Sequence, residues 1–286
     1  FALIEYYEGI HVIKKILIFC VFAITLIGCG EVKFGLEDPI ESYSAKEIYD
    51  KADLNLKQKK FVKAAEYYGE IERLYPYSEW AKRGLIMQAF SFHKSLDYPN
   101  SRSSAQRYLD FYPAADDAAY AQYLLALSYY DQIDEIGRDQ GVATKALEAL
   151  RVIVERYPDS EYSQVAKLKF DRTLDHLATK EMEVGRYYLE KGHYTAAANR
   201  FRIVIEDFKS TNQTPEALHR LVESYLSLGL IEEAQSAGAI LKLNYKSTDW
   251  YNDSYNLLSG QGLKPVPFGT NWLTTIYRQM IKGQWL

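Results

Sequence analysis

Five segments of the chain share one spacing of side chains, and this repetition is the strongest constraint on the fold. Each segment has apolar or small residues at offsets 0, 3, 7, 10 and 14, and the last is aromatic. The five sets are Phe61, Ala64, Tyr68, Ile71 and Tyr75; Tyr98, Ser101, Ala105, Tyr108 and Tyr112; Ala143, Ala146, Leu150, Ile153 and Tyr157; Tyr194, Ala197, Phe201, Val204 and Phe208; and Ile231, Ala234, Gly238, Leu241 and Tyr245. These offsets follow one side of an α-helix. The repetition therefore predicts five helices that each bury the same stripe.

A further helix precedes each of these five, so the repeating unit is a pair of helices. The fourth unit shows this most clearly, with Gly185 and Tyr188 followed by Tyr194, Ala197 and Phe201. This spacing matches the tetratricopeptide (TPR) pattern, whose small residues let the two helices of a hairpin approach closely. We therefore predict an all-α fold, an irregular superhelix of five TPR helix hairpins.

The repeats are predicted to occupy residues 44–258, with one helix after the fifth repeat. Their approximate bounds are 44–78, 79–115, 116–160, 161–211 and 214–247. Thr214 stands directly before Pro215, a pair typical of a helix N-cap followed by proline at the first helical position. Thr214 is therefore predicted to cap the first helix of the fifth repeat.

The N-terminal segment has the features of a bacterial secretion signal. Lys14 and Lys15 precede an apolar run over residues 16–27 that is short for a membrane span. The run ends in Gly28 and Cys29, which resembles a lipobox. We predict a signal peptide over 1–28, diacylglycerol and an N-acyl chain on Cys29, and a lipidated tether over 29–43. A plain signal peptide, or an anchor helix with an incidental cysteine, is the alternative.

The first residue is Phe, so we expect the start to be a fragment or a misread upstream codon and residues 1–10 to be spurious. The formal net charge is −4, from 34 Lys and Arg against 38 Asp and Glu, which disfavours a nucleic-acid partner. Two cysteines are too few for a disulfide framework or a four-ligand zinc site.

No motif of a metalloprotease, a serine hydrolase or a phosphate-binding loop occurs in the sequence. Asp175, His176 and Glu181 are predicted to share one helix, but no nucleophile accompanies them. We expect a protein that is not an enzyme, with no catalytic residue, no metal and no cofactor beyond the lipid on Cys29.

A lipobox followed by five irregular TPRs resembles the BamD (ComL) family, the lipoproteins of the bacterial outer-membrane β-barrel assembly machine. The resemblance runs from Cys29 to about residue 258 and is most similar to alphaproteobacterial members. It implies a non-enzymatic scaffold anchored by lipid at the periplasmic face of the outer membrane. Its partners would be the POTRA domains of BamA, other Bam lipoproteins and unfolded β-barrel substrates, which it would help to deliver and insert. A periplasmic TPR lipoprotein that acts as an adaptor for cell-wall or division enzymes is the alternative.

Four residues of the first predicted helix are candidates for a substrate groove: Tyr49, Asp53, Leu56 and Lys57. First helices of TPR hairpins line the concave face of the array, and an aromatic ring beside charges suits an extended, partly apolar peptide. The alternative is that Tyr49 is ordinary packing between helices.

The resemblance places the BamA contact in the later repeats, where Asn199 and Arg200 match the family's motif. Arg200 falls off the stripe formed by Ala197, Phe201 and Val204, so we expect it to be exposed. A guanidinium there would suit a bidentate contact with a partner's carboxylate. A solvated surface arginine is the alternative.

The tail over residues 259–286 is predicted to be a linker and a short amphipathic segment. Residues 259–269 are rich in Gly and Pro, and Leu273, Ile276 and Met280 then share one helix face. This face either folds back to cover the end of the array or binds a partner.

Overall fold

A computed structural model describes residues 39–133, 140–269 and 271–281. The chain divides into two compact units, Phe1–Ser44 and Ala45–Leu286. In the first unit, the described residues contain a 3₁₀ turn, Ile40–Ser42, in which the Ser42 amide donates to the Pro39 carbonyl at 2.8 Å. The predicted signal peptide (1–28), Cys29 and most of the tether (29–43) lie outside the described residues.

The described residues of the second unit contain twelve α-helices and no strand. The helices are α1 (Ala45–Lys57), α2 (Phe61–Leu74), α3 (Glu79–Lys94), α4 (Tyr98–Phe111), α5 (Ala118–Tyr130), α6 (Gly141–Arg156), α7 (Ser163–Glu190), α8 (Tyr194–Asp207), α9 (Thr214–Ser227), α10 (Ile231–Asn244), α11 (Asp249–Gly260) and α12 (Trp272–Ile281). From α1 to α10 each helix packs against the next one along the chain. The prediction of an all-α array of five TPR hairpins is confirmed.

The predicted stripe is the buried side of all five second helices. Its three central positions are buried in every repeat: Ala64, Tyr68, Ile71, Ser101, Ala105, Tyr108, Ala146, Leu150, Ile153, Ala197, Phe201, Val204, Ala234, Gly238 and Leu241. A fully buried large apolar side chain contributes about 1.5–3 kcal/mol. The repeated spacing therefore marks the residues that hold each second helix in the array.

The closing aromatic of each repeat ends its helix. Each lies directly after the last helical residue, and its amide donates to the carbonyl of the stripe residue four positions earlier. The donor–acceptor distance is 2.8 Å for Tyr75 and 2.8 Å for Tyr245. The backbone φ of Tyr75 is −135° and that of Tyr245 is −129°, outside the helical range. These residues therefore close one last hydrogen bond and stop the helix.

Thr214 departs from its predicted role. The helix α9 begins at Thr214 itself, and Gln213 is the N-cap residue. The fully buried Thr214 hydroxyl lies within hydrogen-bonding distance of two carbonyls after α8, those of Phe208 at 3.3 Å and Lys209 at 3.0 Å. The prediction was wrong because the Thr214 hydroxyl bonds to carbonyls in the loop after α8, and not to the backbone amides at the start of α9.

Buried polar side chains join α3, α4 and α5, which are the two helices of the second repeat and the first helix of the third. The Ser128 hydroxyl of α5 donates to the Ser101 hydroxyl of α4 at 2.9 Å, which donates to the Ala89 carbonyl of α3 at 2.9 Å. Gln88 of α3 accepts from Ser104 of α4 at 2.9 Å. Because these groups are buried, each hydrogen bond removes the cost of an unpaired polar atom.

The end of the array is mainly apolar. One continuous cluster of buried side chains runs from Ala178 and Met182 on α7 through α8, α9 and α10 to Leu258 on α11. Leu273 and Ile276 on α12 belong to the same cluster. None of the helices in the described part of the chain is long and apolar enough to cross a membrane.

Candidate functional site

The first helices of successive repeats lie side by side. Contacts join α1 to α3, α3 to α5, and α9 to α11. Aromatic contacts join α5 to the start of α7. Some side chains on this row, among them Tyr49, Trp80 and Tyr123, are only partly buried, so residues of different repeats meet at its surface.

Tyr49 lies at the junction of three helices. Its ring centre is 5.3 Å from that of Tyr68 on α2 and 5.0 Å from that of Trp80 on α3. Burial, followed by the charge of Asp53, raises the pKa of the Tyr49 hydroxyl. Tyr49 therefore packs between helices and keeps part of its surface exposed, so the structure contains features of both interpretations of this residue.

The other predicted groove residues lie on the same helix. Lys57 Nζ is 2.7 Å from Asp53 Oδ2, and this pairing raises the pKa of the lysine. Leu56 is half-buried, whereas Lys57 is exposed. The structure thus brings Tyr49 and Asp53 together with an apolar neighbour and an exposed cation at the end of the helix.

Trp80 is the residue of this surface that the sequence did not reveal. Lys46 Nζ lies 5.9 Å and Arg83 Cζ 5.5 Å from the centre of the Trp80 ring, within the range of cation–π attraction. A possible signal was the spacing of Trp80, Arg83 and Met87 on one face of α3. The repeat alignment, however, placed only the second helices in register.

Aromatic rings continue the surface onto the next repeats. The Tyr123 ring of α5 stacks on that of Tyr162, the residue before α7, at a centroid distance of 5.2 Å. Lys169 Nζ lies 3.9 Å from the centre of the Tyr130 ring. Burial and, next, the hydrogen bond with Glu161 raise the pKa of Tyr162 to about 12. The Tyr123 and Tyr162 rings are therefore available for apolar and hydrogen-bonding contacts, and burial also raises the pKa of Tyr123.

Asn199 and Arg200 lie on α8, in the fourth repeat. Asn199 is exposed, whereas about 40% of the Arg200 side chain is accessible. Arg200 Nη1 donates to Glu181 Oε2 on α7 at 2.9 Å. Arg200 is therefore less exposed than the stripe alone predicts, because the other helix of its hairpin supplies a carboxylate.

Ion pairs link α7 to α9, and a buried hydrogen bond links α9 to α11. Arg186 Nη1 lies 3.1 Å from both carboxylate oxygens of Glu216, and Arg220 Nη1 lies 2.8 Å from Glu223 Oε2. The buried His219 ring lies 2.9 Å from the Ser254 hydroxyl, between Nδ1 and Oγ. These contacts fasten first helices to one another across the last repeats.

The tail is docked on the fifth repeat. Gln235 Nε2 donates to the Lys264 carbonyl at 2.8 Å, and the Phe268 amide donates to the Ser236 hydroxyl at 3.0 Å. Leu273 and Ile276 of α12 are buried against the array. Of the two interpretations of the tail, the structure shows the folded-back arrangement.

The described residues do not assemble a group of three His, Cys, Asp or Glu side chains suited to a metal ion. The predicted lipid attachment residue, Cys29, lies outside the described part of the chain. The surfaces above are built from aromatic, amide and charged side chains, which are groups that bind polypeptide.

Comparison with known proteins gives consistent matches. The YfiO family model, described as an outer membrane lipoprotein, matches residues 41–240. Outer membrane protein assembly factor BamD of Caulobacter vibrioides is 45% identical over 203 residues, which cover 71% of this chain and 67% of that protein. BamD of Rickettsia prowazekii is 37% identical over 211 residues, or 74% of this chain and 84% of that protein. BamD of Neisseria meningitidis serogroup A is 25% identical over 254 residues, or 85% of this chain and 95% of that protein.

Proposed function

The chain belongs to the YfiO/BamD family of outer membrane protein assembly factors, and on that premise we propose that it is a lipid-anchored scaffold of the β-barrel assembly machine. Its role lies in outer membrane protein assembly, and its family consists of assembly factors rather than enzymes. The scaffold sits at the periplasmic face of the outer membrane, together with other Bam lipoproteins. It docks to the POTRA domains of BamA and helps deliver and insert unfolded β-barrel proteins.

The anchor is Cys29, acylated by diacylglycerol and an N-acyl chain. Support comes from the lipobox spacing and from the family model, whose description is that of an outer membrane lipoprotein. Several acyl chains on one residue hold a protein on a bilayer far more strongly than a single chain does.

Substrate segments bind the surface of α1 and α3, and one observation carries this proposal. Tyr49 and Trp80 form a half-exposed pair of rings from neighbouring repeats, with Asp53, Arg83 and Lys46 around them. Aromatic rings supply apolar contact area at low entropy cost, and the flanking charges orient a peptide. An unfolded barrel strand alternates apolar and polar side chains, which matches such a surface.

A crosslinking experiment tests this groove. A photoreactive phenylalanine analogue placed at Lys57, at the edge of the surface, is expected to crosslink an unfolded β-barrel precursor. The same analogue at Val62, an exposed position on the second helix α2, is the matched control. Equal crosslinking at the two positions would remove the groove from the proposal.

BamA docks through the α8 surface that carries Asn199 and Arg200. The Arg200 guanidinium uses Nη1 for Glu181, and its other N–H donors can reach a carboxylate of the partner. Glu181 then acts as a positioning residue, because it holds the arginine in one orientation before the partner arrives.

Pull-down of purified BamA tests this interface. Arg200→Glu is expected to reduce recovery of BamA at least tenfold, since the variant places like charges opposite each other. Arg73→Glu is the matched control, because Arg73 is also an exposed, ion-paired arginine of a second helix. Undiminished recovery with Arg200→Glu would exclude this residue from the interface.

Isolation of the full-length protein from detergent-solubilised outer membranes separates the proposed function from its alternative. Recovery of a BamA-type barrel, identified by mass spectrometry, is expected. Recovery of cell-wall or division enzymes without such a barrel would favour the adaptor interpretation instead.

A further inference from the structure

Two aromatic side chains project from the junction of the first and second repeats. Tyr77, in the loop after α2, is fully exposed, and Phe111, the last residue of α4, is 64% exposed. An exposed apolar patch that is bordered by polar residues is typical of an interaction site on a soluble protein.

The packing of the repeats does not require these rings. The residue two places after the closing aromatic is Tyr77 in the first repeat and small or polar in the others: Ala114, Asp159, Ser210 and Ser247. The residue before the closing aromatic is Phe111 in the second repeat and varies elsewhere: Leu74, Arg156, Asp207 and Asn244. The rings therefore belong to this junction and not to the packing pattern of the fold.

The rings border a groove of about 390 Å³, here called the junction groove. Its other walls are Pro76, Ala81, Leu85 and Tyr112, so the lining is largely apolar. Glu72 also lines it and is held by Arg107, with Oε2 and Nη1 3.1 Å apart.

Three carboxylates lie near Tyr108, the buried tyrosine behind the aromatic end of this groove. The buried Tyr108 ring lies 5.3 Å from that of Tyr112, and Glu79, Asp116 and Asp117 are close enough to act on its hydroxyl. Burial, and then these carboxylates together with Tyr112, raise the pKa of Tyr108 to about 12. None of the three carboxylates forms an ion pair within the described part of the chain.

A cationic side chain of the protein itself packs at this place. Lys82 Nζ lies 5.6 Å from the centre of the Tyr112 ring, which is a cation–π contact at the wall of the groove. The ring faces and the carboxylates thus act in the same direction, because both attract positive charge.

A comparable site near the other end of the array is covered by a helix of this chain. Ile205 and Lys209 on and after α8 line a cavity of about 320 Å³ whose opposite wall is α12. In the repeat alignment they correspond to Glu72 and Pro76 of the junction groove. There, Arg202 Cζ lies 4.8 Å from the centre of the Trp272 ring of α12. An amphipathic helix with an aromatic residue is therefore an occupant that this repeat surface accepts.

We propose that the junction groove, formed by Tyr77, Phe111 and Tyr112 with Glu79 and Asp116 at its rim, docks a basic amphipathic helix of a partner protein. Apolar side chains of that helix enter between the rings, and its lysines or arginines meet the rim. Charge decides against two other occupants. A second copy of this chain is acidic overall, and anionic lipid headgroups are repelled by the same carboxylates.

Photocrosslinking in native outer membranes tests the proposal on the full-length protein. A photoreactive phenylalanine analogue replaces Tyr77, and the crosslinked peptide is identified by mass spectrometry. The expected product is a partner segment of net positive charge with apolar residues at helical spacing. Tyr187, on α7 and 57% exposed, is the control position and should not give this product.

Removal of the carboxylate charges is the second part of the crosslinking experiment. Glu79→Gln together with Asp116→Asn is expected to lower the yield at position 77 by about fivefold or more, because both substitutions keep shape and remove the rim charge. Glu155→Gln with Asp159→Asn, exposed acids of the third repeat, should leave the yield unchanged. Crosslinks to lipid, to another copy of this chain or to an acidic segment would overturn the proposal. A yield at position 77 no higher than at Tyr187, or one unaffected by neutralisation, would overturn it as well.

Discussion

Gly185 lies so close to Phe201 that no side chain fits between them. A Cβ atom added to Gly185 would stand 2.5 Å from Cε1 of Phe201, inside the hairpin of the fourth repeat. We expect Gly185→Ala to lower the free energy of unfolding by about 1–3 kcal/mol, since the ring must shift in a filled core. Urea denaturation measures this change. Gly260→Ala is the control, because nothing lies within 4 Å of that site; an equal loss in both variants would contradict the steric explanation.

Glu223 makes the stability of the last repeats depend on pH. Burial opposes its ionisation, but contacts with His219 and Arg220 outweigh burial and hold the pKa of Glu223 below its ordinary value of 4.5. A carboxylate with a lowered pKa stabilises the fold above its unfolded pKa, and this contribution is lost as the pH falls through the folded value.

Glu223→Gln is therefore expected to reduce the free energy of unfolding at neutral pH, and the difference from the parent protein should shrink below about pH 4.5. Denaturant titrations at a series of pH values give the result. The exposed Glu155→Gln should show little effect at any pH. A difference for Glu223→Gln that stays constant from about pH 7 to about pH 3 would show that its charge is not the cause.

The contact partners of some single residues could not be predicted from the sequence. The stripe predicts which side of α8 is buried, and Arg200 is indeed off that side. The stripe does not reveal that Glu181 stands opposite, because the partner depends on how α7 crosses α8. Trp80 was missed for a related reason, since its neighbours Tyr49 and Lys46 belong to a different repeat.

At the level of the helix, the aligned positions lie closer to the helix ends than to every helix start. The five closing aromatics stop their helices because each completes a hydrogen bond and leaves helical conformation. The cap assigned to Thr214 was wrong, since local sequence does not show which carbonyls a buried hydroxyl will face. The second helix of the third repeat begins at Gly141, two residues before the aligned Ala143. The alignment therefore locates the buried stripe but not the first residue of the helix.

The docking of α12 can be tested as a property of that helix. Leu273→Asp is expected to accelerate amide hydrogen exchange in α12 by about tenfold or more and to raise it in α10, because a charge replaces a fully buried side chain. Mass-spectrometric hydrogen exchange gives both values. Thr275→Asp, at an exposed position of the same helix, is the matched control. Rapid exchange of α12 in the unaltered protein would contradict the docked arrangement.

Across the whole molecule, contacts are mostly between neighbours in sequence, so damage should stay local. Tyr68→Ala removes a fully buried ring of the first repeat and is expected to cost about 3–5 kcal/mol there. Faster hydrogen exchange is expected in α1, α2 and α3, while α9 to α12 keep their protection. Phe201→Ala should give the reverse pattern. Uniform loss of protection along the array would mean that it unfolds as one unit.

The architecture as a whole followed from periodicity, because five equivalent stripes admit few folds besides stacked hairpins. The position of the tail could not be predicted from periodicity. An amphipathic segment after a Gly- and Pro-rich linker can cover any apolar surface. What holds it here are single contacts, such as Gln235 with the Lys264 carbonyl and Ser236 with the Phe268 amide. No repeating pattern in the sequence predicts such contacts.

Apolar contacts hold the end of the array and polar contacts join the second and third repeats, and this difference affects how each part responds to temperature. Exposure of apolar surface raises the heat capacity on unfolding, whereas exposure of polar surface lowers it. The apolar cluster from α7 to α12 therefore carries a larger heat-capacity increment than the Ser128–Ser101–Ala89 junction between the second and third repeats. Hydrophobic attraction weakens on cooling. Low temperature should thus loosen the end of the array, with its docked tail, before the hydrogen-bonded repeats nearer the start.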